Sequence, residues 1–140
     1  MPACLLLVFG LLLATGCGGA PNAAAVSGTV TLDGQPLANA VVNFQPAGSE
    51  RNPGPSSIGR TNEKGEYNLE MAGVGRGAVL GAHKVKIYCP VEDAESNKPE
   101  EDRRTKQKDR VPPKYNVQST LTKEVKAGNN TINFELTSKK

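Results

Sequence analysis

The sequence predicts an all-β fold: a single antiparallel β-sandwich of about seven strands. Apolar residues recur at every second position in several short segments, and clusters of Gly, Pro and Asn separate these segments. No segment carries an apolar stripe at helical spacing. The 140 residues suffice for one domain, and the 15 glycines and 10 prolines suit short strands joined by tight turns.

The N-terminal residues predict a lipoprotein signal peptide. Residues 5–13 form an apolar run that is too short to span a membrane, which takes about 20 residues. The Ala-Thr-Gly-Cys that follows resembles the bacterial lipobox, which implies removal of residues 1–16 and acylation of Cys17, for example with palmitate. Two features depart from that pattern, because no basic residue precedes the run and Ala14 stands where leucine is usual. The alternative is a plain secretory signal in which Cys17 is incidental.

A lipid on Cys17 implies attachment to the cell envelope. Gly18 follows Cys17 where an aspartate would favour the inner membrane, so we expect the outer membrane or the cell surface. Residues 17–25 hold small and polar side chains with little to bury, which predicts a flexible lipidated tether. The β-sandwich domain is expected to occupy residues 26–138.

The first half of this domain alternates with a period of two. Strands are predicted around Val26 to Leu32, Ala40 to Phe44, Ile58 to Thr61 and Tyr67 to Met71. Asp33-Gly34 predicts a hairpin, and Asn62-Glu63-Lys64-Gly65 predicts a type I turn. The Pro- and Gly-rich residues 48–55 end the second strand and predict a loop.

The second half continues the alternation after a glycine-rich bend or loop at residues 73–81. Val85, Ile87 and Cys89 form an inward row, and Pro90 ends that strand. Leu121 and Val125 share a face, a turn follows at residues 127–129, and Ile132, Phe134 and Leu136 give the clearest alternation in the chain.

Residues 92–110 break the pattern. They hold seven acidic and six basic residues and no large apolar one. Glu100 and Arg104 stand four residues apart, as in a short exposed helix, but nothing anchors such a helix to the core. The composition therefore predicts a charged, mobile surface insertion.

Two strings of residues carry a resemblance to a known family. Residues 26–44, Val-Ser-Gly-Thr-Val-Thr-Leu-Asp-Gly-Gln-Pro-Leu-Ala-Asn-Ala-Val-Val-Asn-Phe, resemble the opening of carboxypeptidase-regulatory-like domains, and residues 61–67, Thr-Asn-Glu-Lys-Gly-Glu-Tyr, resemble their Thr-Asp-x-x-Gly-x-Tyr signature. Residues 112–116 and 121–134 are similar to small lipoproteins of this type that are abundant in planctomycete bacteria. The resemblance implies a transthyretin-like (prealbumin-like) sandwich that serves as an accessory folding or binding module.

Candidate catalytic residues are few. His83 is the sole histidine, and neither a second imidazole for zinc nor a Gly-x-Ser-x-Gly elbow is present. The transthyretin-like hydroxyisourate hydrolases use several histidines and a Tyr-Arg-Gly-Ser tail, whereas this chain ends Leu-Thr-Ser-Lys-Lys. We therefore expect no catalytic residues, no metal site and no cofactor, and we interpret His83 as an ordinary residue at the start of a strand.

Cys89 and the tyrosines are expected to pack. Cys4 lies in the predicted signal peptide and Cys17 in the lipid site, which leaves Cys89 without a partner for an internal disulfide. A redox thiol or an intermolecular cross-link is the alternative to a buried small apolar side chain at Cys89. Tyr67 and Tyr115 are expected to pack rather than to bind a ligand.

Two groups of charged residues are candidate contact sites. Lys84, Lys86 and Tyr88 point outward and form a possible contact face for an acidic polysaccharide, although a merely solvated sheet face has the same pattern. The acids of residues 92–102 lack the Asp-x-Asp-x-Asp-Gly spacing of a calcium loop. The net charge of +3 is too small and too dispersed to predict a nucleic-acid partner.

These observations favour a non-enzymatic cell-envelope lipoprotein with a structural or binding β-sandwich module. The alternative is a carbohydrate- or peptide-binding accessory module that serves a partner envelope enzyme or transporter. Its partners would be the membrane, through the lipid on Cys17, and an envelope polysaccharide or protein. Loops 47–57 and 72–81 and the face of Lys84, Lys86 and Tyr88 are the expected contact sites.

Overall fold

The computed structural model describes residues 22–48, 53–90 and 109–139. Within these ranges the chain forms twelve strands and one 3₁₀ turn. The strands are β1 (Ala23–Leu32), β2 (Gln35–Pro36), β3 (Val41–Pro46), β4 (Ser57–Arg60), β5 (Glu66–Asn68), β6 (Glu70–Met71), β7 (Gly75–Arg76), β8 (Ala78–Val79), β9 (Gly81–Tyr88), β10 (Thr122–Val125), β11 (Asn129–Thr131) and β12 (Phe134–Leu136), and the 3₁₀ turn is Pro113–Tyr115. Several strands of two or three residues account for the excess over the predicted seven.

The strands form two sheets that pack around one core. In the first sheet β1 pairs antiparallel with β2, β5 and β8 and parallel with β11 and β12. The second sheet has the order β10-β9-β3-β4-β6-β7 and is antiparallel throughout. The all-β sandwich that the alternation predicted is therefore confirmed.

The parallel pairing in the first sheet follows from where the chain changes sheets. β10 ends at Val125 opposite Gly81, and the Leu80 N–H donates to the Asn22 carbonyl 2.8 Å away. The end of β10 is thus beside the start of β1. When the chain crosses over at residues 126–128, it enters the first sheet at that end, so β11 and β12 must run in the same direction as β1.

The predicted inward rows form the core. The apolar residues of the predicted strands that are less than 5% exposed are Val26, Val30, Ala40, Val42, Phe44, Tyr67, Leu69, Met71, Val85, Ile87, Cys89, Val125, Phe134 and Leu136. Three aromatic rings occupy its centre, because Phe134 lies 6.2 Å from Phe44 and 6.3 Å from Tyr67 between ring centroids. The Tyr67 hydroxyl donates to the Ile132 carbonyl at 2.6 Å, so the buried ring keeps a partner for its polar atom.

Both predicted turns are present. Asp33 and Gly34 have φ values of 51° and 81°, which is the left-handed backbone that a two-residue hairpin turn requires. In the second turn the Gly65 N–H donates to the Asn62 carbonyl at 2.9 Å. The Asn62 side-chain oxygen accepts from the N–H groups of Lys64 and Glu66, so Asn62 satisfies two turn amides by itself.

Three boundaries differ from the prediction. Residues 23–25, expected in the tether, belong to β1, where Ala24 pairs with Ala78 and Ala25 with Asn129. Small side chains permit this pairing, and Ala24 is buried by it. The glycine-rich residues 73–81 contain the short strands β7 and β8 rather than only a loop. The C-terminal alternation is interrupted between β11 and β12, where Ile132 is only partly buried.

Strand directions define two ends of the sandwich. The N-terminal pole is the end at which β1 and β9 begin, and it comprises Asn22 and residues 46–48, 53–56, 72–75, 79–82 and 126–128. The distal pole is the end at which β1 and β9 finish, and it comprises residues 33–34, 38–39, 61–65, 89–90, 109–111 and 136–139. The predicted insertion leaves and re-enters the domain at the distal pole.

Candidate functional site

The predicted contact face lies on the outside of the second sheet. Lys84, Lys86 and Tyr88 alternate along β9 with the buried row, and they stand opposite Gln45, Asn43 and Val41 of β3. Lys84 is exposed, whereas Lys86 and Tyr88 are half-buried by their neighbours. Two ammonium groups and a tyrosine ring thus share one flat surface, and we call these three residues the basic face.

Strand β4 adds two residues to this surface that the sequence analysis did not single out. Arg60 stands opposite Val41, and Ile58, which is 48% exposed, stands opposite Asn43. The small residues Ser57 and Gly59 point inward instead. A Cβ at Gly59 would lie 2.6 Å from the Asn68 carbonyl oxygen and 3.1 Å from the Tyr67 ring, so this strand is forced to turn its large side chains outward.

A buried acceptor lies within the same surface. The side-chain oxygen of Asn43 has no hydrogen-bond partner among the described atoms, although solvent does not reach it. Asn43 stands between Lys86 and Ile58 in the sheet register. Because solvent does not reach this oxygen, a ligand on the basic face would meet the side chains of Lys84, Lys86 and Tyr88 and not the Asn43 oxygen.

His83 lies inside the core rather than at a surface. It is the third residue of β9, its side chain has no exposed area, and its ring centroid lies 5.7 Å from that of Phe44. Its Nδ1 is 3.0 Å from the Gly81 carbonyl, while Nε2 has no partner among the described atoms. Burial lowers the pKa of His83, and the hydrogen bond to the Gly81 carbonyl opposes this effect only in part.

Ser57 does not combine with His83 into a nucleophile and base. Ser57 stands opposite Phe44 on β4, and His83 stands opposite Pro46 on β9. Strand β3, with the Phe44 ring, therefore separates the two side chains. Both are fully buried, so neither is placed to receive a substrate.

Cys89 is a buried thiol at the distal pole. It is 1% exposed, and its Sγ lies 3.5 Å from the Ala38 carbonyl oxygen. Burial raises the pKa of the thiol, and the neighbouring Arg110 opposes this effect only in part. The structure therefore places Cys89 in the inward row as predicted, in the neutral and unreactive form of a structural cysteine.

Asp109 closes the base of the predicted insertion, which the sequence did not reveal. One of its carboxylate oxygens accepts from the N–H groups of Cys89 and Val111, each at 2.8 Å, and the other accepts from the Asn116 amide at 3.0 Å. Arg110 donates its N–H to the Cys89 carbonyl. Asp109 and Arg110, counted in the insertion from their charge alone, are therefore fixed to the domain.

The two predicted contact loops meet at the N-terminal pole. Pro46, Pro53, Val79, Leu80 and Ala82 line a shallow depression of about 430 Å³ between the described parts of loops 47–57 and 72–81. Asn22 lies at its rim, so the chain enters the domain beside it. Sequence alternation could not predict this convergence, because it depends on β8 crossing from the second sheet to pair with β1.

Several predicted residues lie outside the described ranges. Cys17, Cys4 and the signal peptide precede them, and residues 92–102, considered above as calcium ligands, lie in the gap before residue 109. Within residues 22–48, 53–90 and 109–139, no three His, Cys, Asp or Glu side chains are grouped as metal ligands would be. No helix in those ranges is long and apolar enough to cross a membrane.

Comparison with known proteins gives little beyond the fold. No protein-family model matches the chain, and no curated protein matches it. A solved structure that is similar to it is that of a DUF3823 family protein from Parabacteroides merdae ATCC 43184, with 14% sequence identity over 81% of this chain and a TM-score of 0.41. The chain spans 45% of that protein's length. The likeness is one of all-β fold and carries no argument about function.

Proposed function

We propose that this protein is a non-enzymatic lipoprotein of the cell envelope, in which the β-sandwich serves as a structural or binding module held at a membrane by Cys17. The outer membrane or the cell surface is the proposed location, as the glycine after Cys17 favours. The β-sandwich would bind an envelope polysaccharide or protein through its outside surfaces.

The burial of His83 is the observation that carries this proposal. General base catalysis requires that the base reach the proton it removes, within hydrogen-bond distance. The sole imidazole of the chain is instead fully buried against Phe44 and hydrogen-bonded to the Gly81 carbonyl of the same strand. Cys89 is also inaccessible. The outer surface of the second sheet, in contrast, presents Lys84, Lys86, Tyr88 and Arg60 together, which suits binding by contact.

The family resemblance is part of the proposal. The Val-Ser-Gly-Thr-Val string forms β1, and the Thr-Asn-Glu-Lys-Gly-Glu-Tyr string forms the turn that leads into β5, which pairs with β1. Both strings thus contribute to one half of the first sheet. This placement supports a carboxypeptidase-regulatory-like module of transthyretin-like type, of the kind found in planctomycete lipoproteins.

The lipid anchor is tested by the intact mass of the protein in the membrane fraction. We expect a product that starts at Cys17 and carries acyl chains, and we expect Cys17→Ser to release the protein from the membrane. A soluble product that is cleaved at another position and is unaffected by Cys17→Ser would contradict the anchor.

The contact function is tested by mild cross-linking in intact envelopes. The triple variant Lys84→Ala, Lys86→Ala, Tyr88→Ser should leave stability nearly unchanged, since all three side chains lie on the outer face of the sheet and not in the core, but should capture less of the partner. The matched control removes the same residue types elsewhere: Lys64→Ala, Lys139→Ala and Tyr115→Ser. Equal capture by both triples would exclude the basic face, and capture of a polysaccharide or peptide beside a partner enzyme would indicate the accessory-module alternative.

A further inference from the structure

The strands of the two sheets carry charges of opposite sign. In the first sheet the charged side chains of the described strands are Glu66 and Glu135, which stand beside the outward residues Thr29 and Thr31 of β1. The described strands of the second sheet carry five basic side chains and two acidic ones besides the buried His83. They are Arg60, Arg76, Lys84, Lys86 and Lys123, with Glu70 and Glu124. The second sheet is therefore the basic side of the sandwich.

Three of these cations lie along one oblique line on the outer face of the second sheet. Lys84 and Lys86 are two residues apart on β9, which separates their Cα atoms by about 6.7 Å. Arg60 lies two strands away from Tyr88, on the far side of Val41. With strands about 4.8 Å apart, the Cα atoms of Lys84 and Arg60 are separated by about 16 Å. We call Lys84, Lys86 and Arg60 the diagonal strip.

The other two cations of the sheet do not extend this line. Lys123 pairs with the inward His83, and its Nζ lies 5.8 Å from the centroid of the Phe134 ring. Arg76 stands on the edge strand β7 directly opposite Glu70, so an acid separates it from the diagonal strip. The positive charge of the outer face is thus concentrated on the three residues of the strip.

An acid marks each end of the diagonal strip. Glu124 of β10 is the diagonal cross-strand neighbour of Lys84, and Glu70 of β6 is the diagonal neighbour of Arg60. Such neighbours are about 7–8 Å apart. Both acids are exposed, so an anion that passed beyond either end of the strip would meet a carboxylate. The charges therefore favour an anionic molecule that follows the strip and does not spread across the whole sheet.

The surface between the cations is low and uncharged. Val41, Asn43 and Gln45 of β3 are half-buried, and Gln45 stands directly beside Lys84. A glutamine amide both donates and accepts hydrogen bonds, as sugar hydroxyl groups require. A compact anion cannot contact cations that are this far apart at the same time, whereas a chain with repeated anionic groups can. Because one exposed ion contact is weak, binding here depends on several contacts made by one molecule.

The paired backbone disfavours a peptide as that molecule. Strands β9, β3 and β4 each have a neighbouring strand on both sides, so their backbone groups are already used within the sheet. A peptide that adds a strand needs a free sheet edge. A molecule on this face must therefore be recognised through side chains alone.

We propose that the diagonal strip binds an extended anionic polysaccharide, whose carboxylate or phosphate groups contact Lys84, Lys86 and Arg60 in turn while its hydroxyl groups contact Gln45. The proposal rests on the contact function proposed above for the basic face. It adds the class of ligand, its path across three strands and the part played by Arg60.

The experiment measures binding of defined polymers by the full-length lipidated protein in a neutral detergent. Isothermal titration calorimetry is performed with polygalacturonate, which carries carboxylates, and with poly(glycerol phosphate), which carries phosphodiesters. Binding of either polymer supports the proposal and identifies the anionic group. Dextran is the uncharged control, and monomeric galacturonate is the compact anion. We expect the monomer to bind at least about tenfold more weakly than the polymer per anionic group, because it makes one contact at a time.

Loss of a cation tests the path of the polymer. Arg60→Gln and Lys84→Gln should each weaken binding by about twofold to fivefold, as expected for an exposed ion contact. Arg76→Gln is the matched control, because it removes a cation from the same sheet but from beyond the strip, and it should leave the affinity unchanged.

Loss of an acid tests the ends of the strip with a gain of binding, which a damaged fold would not produce. Glu70→Gln and Glu124→Gln should each tighten binding by about twofold at low ionic strength, because a carboxylate about 7–8 Å from a contacting cation repels the polymer. Glu66→Gln and Glu135→Gln change the net charge equally on the opposite sheet and should have no effect.

Three results would overturn the proposal. Equal effects of all four glutamate variants, or of Arg60→Gln and Arg76→Gln, would mean attraction to net charge alone, and equal binding of dextran would mean that anionic groups are not recognised. If neither anionic polymer binds but cross-linking in envelopes still depends on the basic face, the partner is a protein; the polysaccharide proposal is then wrong and the contact function stands. Loss of both polymer binding and this dependence would overturn the two together.

Discussion

Replacement of Phe134 by alanine is the most direct test of the core. Phe134 is 4% exposed on β12 and pairs with Val30 of β1. Its ring lies near those of Phe44 in the opposite sheet and Tyr67 on β5, which also pairs with β1. Loss of a buried phenylalanine side chain costs about 3–5 kcal/mol, which includes the cavity left behind. Two aromatic pairs, each worth about 0.5–1.5 kcal/mol beyond burial, place the expected loss near the upper half of that range, at about 4 kcal/mol.

The assay is urea unfolding of the mature protein followed by circular dichroism. Ile58→Ala is the matched control, because it also removes an aliphatic side chain from a strand but from a position that is 48% exposed, and we expect it to cost less than about 1 kcal/mol. The dependence of the unfolding free energy on urea should be the same in both variants. A loss below about 1 kcal/mol for Phe134→Ala, or a loss equal to that of the control, would refute the central position assigned to this ring.

Three further predictions follow from the fold. The pKa of His83 is lowered in the folded state, so on acidification the unfolded state binds the proton first. The free energy of unfolding should therefore be constant above about pH 7.5 and fall by up to about 1.4 kcal/mol per pH unit below about pH 6.5. His83→Gln should remove this slope in urea titrations between pH 7 and 5. Gly28→Ala should destabilise by about 1–3 kcal/mol, because a Cβ would collide with the Ile132 carbonyl oxygen. Gly48→Ala should be neutral, because its Cβ would meet only Pro53 Cβ, at 3.8 Å, which is an ordinary contact. Trypsin should cut first in residues 92–108, at Arg103, Arg104 or Lys106. The two fragments should stay associated, in part through the hydrogen bond from the Cys89 N–H to the Asp109 carboxylate. Protection of these sites from trypsin would contradict the predicted mobility.

The alternation predicted those strands in which burial is the dominant constraint. Ala40, Val42 and Phe44 are all inside, and their neighbours on β3 are half-buried on the outer face. The turns were predictable for a separate reason, because Asp33-Gly34 and Asn62 act through local backbone geometry that does not depend on the rest of the fold.

The alternation did not predict which side chains point into the core where two backbones approach closely. On β4 the isoleucine is outside and Ser57 and Gly59 are inside, because the Tyr67 ring and the Asn68 backbone occupy the space that larger inward side chains would need. The parallel pairing of β1 with β11 and β12 was also not predictable from periodicity. It depends on which end of the first sheet the chain reaches after β10, and that is a property of the complete topology.

The sequence predicted which side chains form the basic face, but not which residues of other strands surround them. The outward direction of Lys84, Lys86 and Tyr88 follows from the period of β9, whereas their neighbours Asn43, Ile58 and Arg60 come from pairing with β3 and β4. Cys17 stays a prediction, because it lies outside the described residues. The hydrogen bonds of Asp109 to the Cys89 and Val111 N–H groups could not be predicted, because Asp109 follows many other charged residues. In such a sequence, a carboxylate that bonds the backbone cannot be told from one that is solvated.

The proposed lipid anchor and the basic face constrain each other. The basic face runs along β9, and β9 extends from the N-terminal pole towards the distal pole. A lipid on Cys17, five residues before Asn22, would keep the N-terminal pole near the bilayer. The basic face would then lie on the side of the domain, with Lys84 nearer the lipid than Tyr88. A partner bound there must lie beside the domain and close to the membrane, as a polymer layer on an envelope surface does. A partner captured through the distal pole instead would be held at the far end of the domain, so cross-links from Lys84 and from Lys64 separate the two arrangements.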